Sequence, residues 1–332
     1  MRSRSCCGVL AIGLLVVVLL VVCLCAVAYS LTGPSPACRN PATGLAQAGD
    51  SARTLTSGGI ERCYLLHVPP GYDPAQPIPL VISLHGFASR PEGQRDLSQW
   101  NEIADRETFA VAYPQGTHAP LRWNSFPESG AGGVDDVQFM RNMLADAAEI
   151  VAVDPSRIYV NGMSNGGAMT HRLACDLADR VAAFGNVAGP AIDPPDSCNP
   201  TRPVPIIAFF GTADPLVRYE GGRTAGIGWI QRIAQLTGGS MPTLNMMPAE
   251  KWIAGWAERN GCNLTPEPIP ASGDVHGIRY TGCQDNAEVV FYTIEGGGHT
   301  WPGGNPIPVG KTSQNIDASE TMWDFFQAHP LP

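Results

Sequence analysis

Apolar residues recur along this chain in two alternating patterns. Short, almost uninterrupted apolar runs are typical of buried parallel strands, and between them apolar residues return every three or four positions, as in amphipathic helices. Strands are predicted at residues 62–68, 79–84, 109–113, 182–187, 204–210, 275–280 and 289–294, with a further apolar run just before residue 162. Helices are predicted at residues 134–150, 249–260 and 318–329, with another directly after residue 164. The alternation predicts an α/β fold: a mainly parallel, doubly wound sheet with helices on both faces.

The first 29 residues differ from the rest of the chain. Arg2 and Arg4 precede an uninterrupted apolar run at residues 6–28. The run is long enough to span a bilayer, and its last three residues form a small-x-small cleavage pattern, so residues 1–29 are predicted to be a signal peptide or a membrane anchor. Both alternatives place the body outside the cytoplasm, either secreted or anchored to the outer face of the cell membrane by residues 6–28.

Two further segments lack helix or strand periodicity. Residues 30–59 are rich in Pro, Gly, Ser, Thr and Ala and are predicted to be a linker. The folded domain is predicted to cover residues 60–332. Within it, the irregular stretch at residues 221–248 is interpreted either as a lid over the site or as a surface excursion.

Composition narrows the choice of partners and of compartment. The 332 residues are 44% hydrophobic and carry a formal net charge of −9, which argues against nucleic acid or an anionic membrane surface as a partner. Contact with a membrane is expected only through the N-terminal segment. Six cysteines lie outside the leader, and an oxidising compartment favours disulfides between them. Of 15 possible pairings, we predict neighbours in sequence: Cys38–Cys63, Cys175–Cys198 and Cys262–Cys283.

The strongest chemical signal is the pentad from Gly162 to Gly166, with Ser164 at its centre. A strand before it and a helix after it predict a nucleophile elbow, in which glycines are needed because a Cβ would collide with the neighbouring strand and helix. The backbone N–H of Asn165 is then free to bind an oxyanion. A second donor is predicted at the backbone N–H of Phe87, which follows an apolar strand. The side chain of His85 is interpreted as a hydrogen-bonded loop residue.

A serine nucleophile needs a base and a carboxylate that orients the base. Asp214 lies four residues past a predicted strand, and His299 lies on a glycine-rich turn past a later one. The order Ser164, Asp214, His299 is the order of α/β-hydrolases. By contrast, Asp135 and Asp136 are interpreted as helix caps. Trp252 and Trp256, four apart on a predicted helix, are interpreted as core residues.

Several motifs together resemble the feruloyl esterase / polyhydroxybutyrate depolymerase-like family of secreted α/β-hydrolases. They are His85-Gly86, Trp123-Asn124, Gly162-Met-Ser-Asn-Gly-Gly167, Gly211-Thr-Ala-Asp-Pro215 and Gly297-Gly-His-Thr-Trp-Pro-Gly-Gly304. The resemblance runs from about residue 60 to the C-terminus. It implies an eight-stranded type of sheet, no metal or cofactor, Ser164 as nucleophile, His299 as base and Asp214 as its orienter.

The resemblance also implies the substrate class. Members of the family cleave hydroxycinnamate esters on plant xylan, or aliphatic polyesters. Depolymerases that attack solid polyester usually carry an extra binding domain, for which this chain has no room, so a soluble ester is favoured. Trp123 and Trp301 are predicted to stack on a feruloyl ring or a sugar, with packing under loops as the alternative.

We therefore predict an extracytoplasmic serine esterase that works through an acyl-enzyme, with feruloyl esters of plant polysaccharide as the favoured substrate. The alternatives are a short-chain polyhydroxyalkanoate or aliphatic polyester depolymerase, a peptidase or acyltransferase on the same sheet, and a carbohydrate-binding homologue without catalysis.

Overall fold

A computed structural model describes residues 35–45, 47–126, 133–191, 198–223 and 245–332. The predicted leader, residues 1–29, lies outside these ranges, as does most of the irregular stretch at residues 221–248. Within the described ranges, no helix has both the length and the apolar character needed to cross a bilayer.

Strands and helices alternate as the apolar pattern predicts. The described strands are β1 (Gly49–Ser57), β2 (Ile60–Val68), β3 (Ile78–Leu84), β4 (Ala110–Pro114), β5 (Val153–Met163), β6 (Ala183–Val187), β7 (Ile206–Gly211), β8 (Gly222–Arg223), β9 (Asn245–Met246), β10 (Glu267–Ser272), β11 (Val275–Tyr280) and β12 (Val289–Ile294). The described α-helices are α1 (Pro91–Ser98), α2 (Trp100–Glu107), α3 (Asp136–Ile150), α4 (Asn165–Asp176), α5 (Ala249–Arg259) and α6 (Ala318–Gln327).

Ten of the described strands form one sheet, in the order β1-β2-β4-β3-β5-β6-β7-β12-β11-β10. The six central strands, from β4 to β12, run parallel, and the strands at the two edges are antiparallel. This mainly parallel sheet with helices on both faces confirms the predicted fold class. It has two strands more than the eight-stranded type that the resemblance implied.

The core consists of two apolar layers, one on each face of the sheet. Successive residues of a strand point to opposite faces, so Val160 packs in one layer with α3, α4 and α5, while its neighbour Tyr159 packs in the other with α2 and α6. Trp252 and Trp256 are buried in the first layer, as predicted. Because both faces of the central strands are covered, these strands read as continuous apolar runs.

The predicted linker at residues 30–59 is wrong over much of its described part. β1 pairs with β2 along its whole length, from Gly49 opposite Val68 to Ser57 opposite Ile60. The prediction failed because β1 lies at the sheet edge, where main-chain hydrogen bonds hold the strand and few of its residues are buried. The opposite edge strand, β10, has no buried residue and was missed for the same reason.

The three predicted disulfides are confirmed. They join Cys38 to Cys63, Cys175 to Cys198 and Cys262 to Cys283. The first ties the N-terminal part of the described chain to β2, and the second joins the helix that follows Ser164 to Cys198.

Candidate active site

Ser164 lies between the end of β5 and the start of α4. Its backbone has φ 57° and ψ −121°, which is a rare conformation for a residue with a side chain. The N–H of Ser164 donates to Val187 O on the adjacent strand, at 2.9 Å. The tight strand-to-helix turn predicted from the pentad is therefore present, and the side chain is half-buried.

Two glycines of the pentad are required by close backbone contacts. A Cβ on Gly166 would lie 2.3 Å from Leu84 O, at the end of β3. A Cβ on Gly162 would lie 2.6 Å from the carbonyl carbon of Gly166. Because these neighbours are backbone atoms of the sheet and of the first helical turn, they cannot move aside as a flexible side chain could.

Asp214 and His299 meet at the carboxyl end of the parallel strands, after β7 and β12. His299 Nδ1 lies 2.7 Å from Asp214 Oδ2, and both side chains are almost completely buried. The other carboxylate oxygen, Oδ1, accepts hydrogen bonds from the N–H groups of Leu216 and Val217, at 2.7 and 2.9 Å. Asp214 thus holds its own turn with one oxygen and the histidine with the other. Because the carboxylate accepts from Nδ1, the neutral ring has its lone pair on Nε2.

The turns that carry Asp214 and His299 are bonded directly to each other. Ala213 N donates to Gly297 O at 2.9 Å. A Cβ on Gly211 would lie 2.3 Å from the same carbonyl oxygen, so the approach of the two turns requires glycine at that position. On its other side, the N–H of His299 donates to Val309 O at 2.9 Å. The histidine is therefore fixed both through its backbone and through its ring.

Ser164 lies at the same carboxyl end of the parallel strands as Asp214. Met163, Val187 and Phe209 are paired across three adjacent parallel strands, so the residues that follow β5 and β7 lie at the same end of the sheet, with β6 between them. Within the described residues, Ser164 Oγ and the side chain of His299 are not joined by a hydrogen bond. Hydrogen bonds between catalytic groups are often long in a free enzyme and tighten when substrate binds.

Both predicted oxyanion donors have backbone N–H groups without a protein acceptor within the described residues. Asn165 is the first residue of α4, where N–H groups have no partner within the helix. Phe87 follows β3 and is half-buried, and its N–H makes no backbone hydrogen bond there. Gly86 lies against the nucleophile, since a Cβ on it would be 3.4 Å from the Cβ of Ser164.

The side chain of His85 is fully buried and satisfied, in line with the interpretation from sequence. Its Nδ1–H donates to Gly86 O at 2.7 Å, and its Nε2 accepts from Gly116 N at 2.9 Å. Burial lowers the pKa of His85 to about 4, although the hydrogen bond to Gly86 opposes the shift. The ring is therefore neutral at physiological pH.

The stacking role predicted for Trp123 and Trp301 is wrong. Both side chains have no exposed surface, so neither can lie against a feruloyl ring or a sugar. The indole N–H of Trp123 donates to His85 O at 2.9 Å, and that of Trp301 donates to Ser319 Oγ at 3.0 Å. The alternative, packing under loops, describes both residues. Sequence alone could not distinguish the two because it does not show which loops cover a tryptophan.

Asp135 and Asp136 have different roles in the structure. Asp135 is the N-cap of α3 and accepts from Gln138 N, as predicted. Asp136 is instead fully buried in an ion pair with Arg62, with 2.7 Å between Oδ1 and Nη2, and its Oδ2 accepts from Asn124 N at 2.7 Å. Asp136 therefore anchors the loop that carries Trp123.

One group of described residues has metal-ligating atoms close together. Atoms of His171, Cys175 and Cys198 lie within 4.8 Å of one another. The two sulfurs are bonded to each other in a disulfide, so neither is the thiolate that a zinc or copper ion would require.

A mainly parallel sheet that carries Ser164, Asp214 and His299 at the carboxyl end of its strands, in that order along the chain, is the arrangement of the serine hydrolases with an α/β-hydrolase fold. Residues 62–198 match the family described as esterase PHB depolymerase. NocK of Nocardia uniformis subsp. tsuyamanensis, provisionally named an esterase, is 32% identical over 290 residues, which cover 85% of this chain and 83% of that protein.

Feruloyl esterase B of Piromyces equi is 30% identical over 277 residues, which cover 82% of this chain and 46% of that protein. Among solved structures, the acetyl xylan esterase from Aspergillus awamori superposes with a TM-score of 0.56 and 16% identity, over 83% of this chain and 99% of that chain, which shows the fold. The chain belongs to the feruloyl esterase / polyhydroxybutyrate depolymerase-like family of α/β-hydrolases and is a serine carboxylic-ester hydrolase.

Proposed function

We propose that Ser164 is the nucleophile, His299 the general base and Asp214 the residue that orients the base. The observation that carries the proposal is the buried hydrogen bond between His299 Nδ1 and Asp214 Oδ2, at the end of the parallel strands where Ser164 occupies its strained turn. Such a pair keeps the lone pair of the ring on Nε2, which can then accept the serine proton.

The reaction follows from these roles. Ser164 Oγ attacks the ester carbonyl carbon while its proton passes to His299 Nε2. The negative charge that develops on the carbonyl oxygen is stabilised by the N–H groups of Asn165 and Phe87. The tetrahedral intermediate then expels the alcohol, which takes the proton from His299. Water, activated by the same histidine, releases the acid from the acyl-enzyme.

The favoured substrate is a feruloyl or other hydroxycinnamoyl ester of plant xylan. The similarity to feruloyl esterase B over 82% of this chain supports it. The alternative is a short-chain polyhydroxyalkanoate or other aliphatic polyester, which the description of the matching family supports. Since Trp123 and Trp301 are buried, residues other than these two would hold the acid.

The proposal includes action outside the cytoplasm. Its support is the set of three disulfides in the described part of the chain, because structural disulfides persist in oxidising compartments. The signal peptide or anchor predicted at residues 1–29 would deliver the protein there. Sequencing the N-terminus of the exported protein would distinguish cleavage from anchoring by residues 6–28.

The test compares four substrates with wild-type protein and the Ser164→Ala variant: methyl ferulate, feruloylated arabinoxylan, p-nitrophenyl butyrate and a 3-hydroxybutyrate trimer. We expect ferulate release from both feruloyl substrates, and a loss of kcat by about a millionfold in the variant. Cleavage of the butyrate ester and the trimer without ferulate release would support the depolymerase alternative. Equal rates for the two proteins would contradict the assignment of Ser164.

A further inference from the structure

The proposed reaction requires two turns to be held close together, although they lie far apart in the sequence. The first is the oxyanion turn, residues 85–88, after β3, and the second is the turn of Ser164 and Asn165, after β5. Each provides one of the two N–H groups proposed to bind the oxyanion. Such donors work only when they are held close to the position of the developing charge. The contacts that fix one turn relative to the other therefore bear directly on the rate.

A third segment, the bracing loop at residues 115–126, lies between these turns and is bonded to both. On the oxyanion side, the indole N–H of Trp123 donates to His85 O at 2.9 Å, and Ala88 N donates to Leu121 O at 2.8 Å. Phe87 lies between these two attachment points. The rings of His85 and Trp123 are also in contact, with centroids 5.0 Å apart.

The direction of the Phe87 N–H is fixed through its own peptide bond. Gly86 O belongs to the same planar peptide group as Phe87 N, so holding the oxygen also orients the N–H on the opposite side. That oxygen accepts from His85 Nδ1 at 2.7 Å and from Ser89 N at 3.2 Å. Since Trp123 in turn holds the carbonyl of His85, the indole supports the residue that orients the oxyanion peptide.

On the nucleophile side, the bracing loop is held by the side chain of Asn165. Its Oδ1 accepts from Trp123 N at 2.7 Å, and its Nδ2 donates to Trp123 O at 3.2 Å and to Ser125 Oγ at 3.1 Å. The amide thus binds both backbone groups of one residue, as a neighbouring strand would. Asn165 is bonded covalently to Ser164, so Trp123 is tied to the nucleophile through a single residue.

The bracing loop is also anchored away from the site. Asn124 N donates to Asp136 Oδ2 at 2.7 Å, and Asp136 is buried in its ion pair with Arg62. Asn124 O accepts from Arg172 Nη1 at 2.6 Å, on the helix that Asn165 begins. The segment around Trp123 is therefore fixed by the core as well as by the two turns.

We propose that Trp123 and the side chain of Asn165 are positioning residues that form a latch between the oxyanion turn and the nucleophile. The inference rests on the proposed function, because it assumes that Ser164 attacks and that Phe87 N–H and Asn165 N–H bind the oxyanion. Neither side chain touches substrate in this scheme. Their effect is to hold two donors from different turns at one site.

The test uses Trp123→Phe, which removes the indole N–H, and Asn165→Ala, which keeps the backbone donor and removes the amide. Hydrolysis of p-nitrophenyl butyrate is measured, together with inhibition by 1-butaneboronic acid, which forms a tetrahedral adduct with the serine oxygen. We expect kcat to fall by about 10- to 100-fold, because small misplacements at a reacting centre have effects of this size. KM should change by less than about threefold, while Ki for the boronic acid rises with the loss of kcat.

Trp100→Phe is the matched control. Trp100 is also completely buried, and its indole N–H donates to Asn161 Oδ1 at 3.2 Å, within β5 and outside the two turns. We expect this variant to lose stability and to keep its kcat. We expect kcat of the double variant Trp123→Phe/Asn165→Ala to be about equal to that of the slower single variant, because both changes break the same latch.

A kcat and a boronic acid Ki in Trp123→Phe equal to those of Trp100→Phe would overturn the latch. Should Trp123→Phe fail to fold, Asn165→Ala alone decides, because Asn165 is half-buried and its removal leaves no large cavity. The Ser164→Ala variant separates the two proposals. An active Ser164→Ala would overturn the proposed function and the latch with it, whereas an inactive Ser164→Ala beside unimpaired latch variants would overturn the latch alone.

Discussion

Asp214 and His299, 85 positions apart in the chain, share a buried hydrogen bond of 2.7 Å. The same carboxylate also binds two backbone N–H groups of its own turn. From the sequence alone, Asp214 could either stabilise a turn or orient a histidine. In the structure it does both, because its two carboxylate oxygens have different partners.

We expect Asp214→Asn to lower kcat by about 10⁴-fold while ester binding changes little. The amide oxygen can keep the two bonds to Leu216 and Val217, which leaves the NH₂ group facing His299 Nδ1. The ring must then carry its proton on Nε2, where it cannot accept one from Ser164. The measurement is kcat for p-nitrophenyl butyrate, with circular dichroism as a control for the fold. Full activity would show that Asp214 does not orient the base.

His67 predicts a pH-dependent contribution to stability. Its Nδ1 lies 2.7 Å from Asp50 and its Nε2 2.9 Å from Asp105, and Asp50 also pairs with Arg95. Burial lowers the pKa of His67, but the bonds and charges of the two carboxylates outweigh it and raise the pKa above 6.5. Burial raises the pKa of Asp50, but His67 and Arg95 outweigh it and lower the pKa below 3.8.

A raised histidine pKa stabilises the folded state fully below 6.5, and the contribution is lost as the pH rises through the folded value. The lowered pKa of Asp50 contributes above 3.8 and is lost as the pH falls through its folded value. We therefore expect the difference in Tm between wild type and His67→Gln to be largest between these limits and to shrink at alkaline pH. A difference that grows with pH would contradict the assigned charges.

Gly166 and Gly255 form a matched pair for a test of the nucleophile turn. We expect Gly166→Ala to lower the free energy of unfolding by about 2–3 kcal/mol or more, because the new Cβ meets Leu84 O and His85 O. Gly255 lies inside α5 with open space around it, so Gly255→Ala should raise the free energy of unfolding by about 0.5–1 kcal/mol. Denaturant unfolding measures both. Similar effects at the two sites would show that the turn tolerates a side chain.

The disulfide between Cys175 and Cys198 closes a sequence separation of 23 residues next to the end of α4. We expect Cys175→Ala/Cys198→Ala to lose about 3 kcal/mol of unfolding free energy, since the unfolded chain gains the freedom that the bond removes. Guanidinium unfolding of the double variant, compared with the wild type, measures the loss. An unchanged unfolding midpoint would mean that the disulfide contributes little to the stability of the protein.

Much of this protein could be predicted from local sequence. Buried central strands are covered on both faces, so they read as apolar runs; strands β11 and β12 agree with their predicted bounds. The Gly162–Gly166 pentad predicted the tight turn at Ser164, because that geometry excludes side chains at fixed positions. Neighbouring cysteines in sequence proved to be bonded pairs.

Other features were decided only by contacts between distant parts of the chain. The edge strands β1 and β10 depend on main-chain bonds to a neighbour, which leave no apolar period in their own sequence. Trp123 looked like a surface for a sugar or an aromatic acid, but the bracing loop places it inside, between His85 and Asn165. An aromatic residue in a loop has the same local signature whether it faces solvent or core, since burial depends on which segments fold over it. The sequence alone therefore predicted the central strands, the turn at Ser164 and the disulfides, and the tertiary structure decided which contacts hold the proposed reacting groups in place.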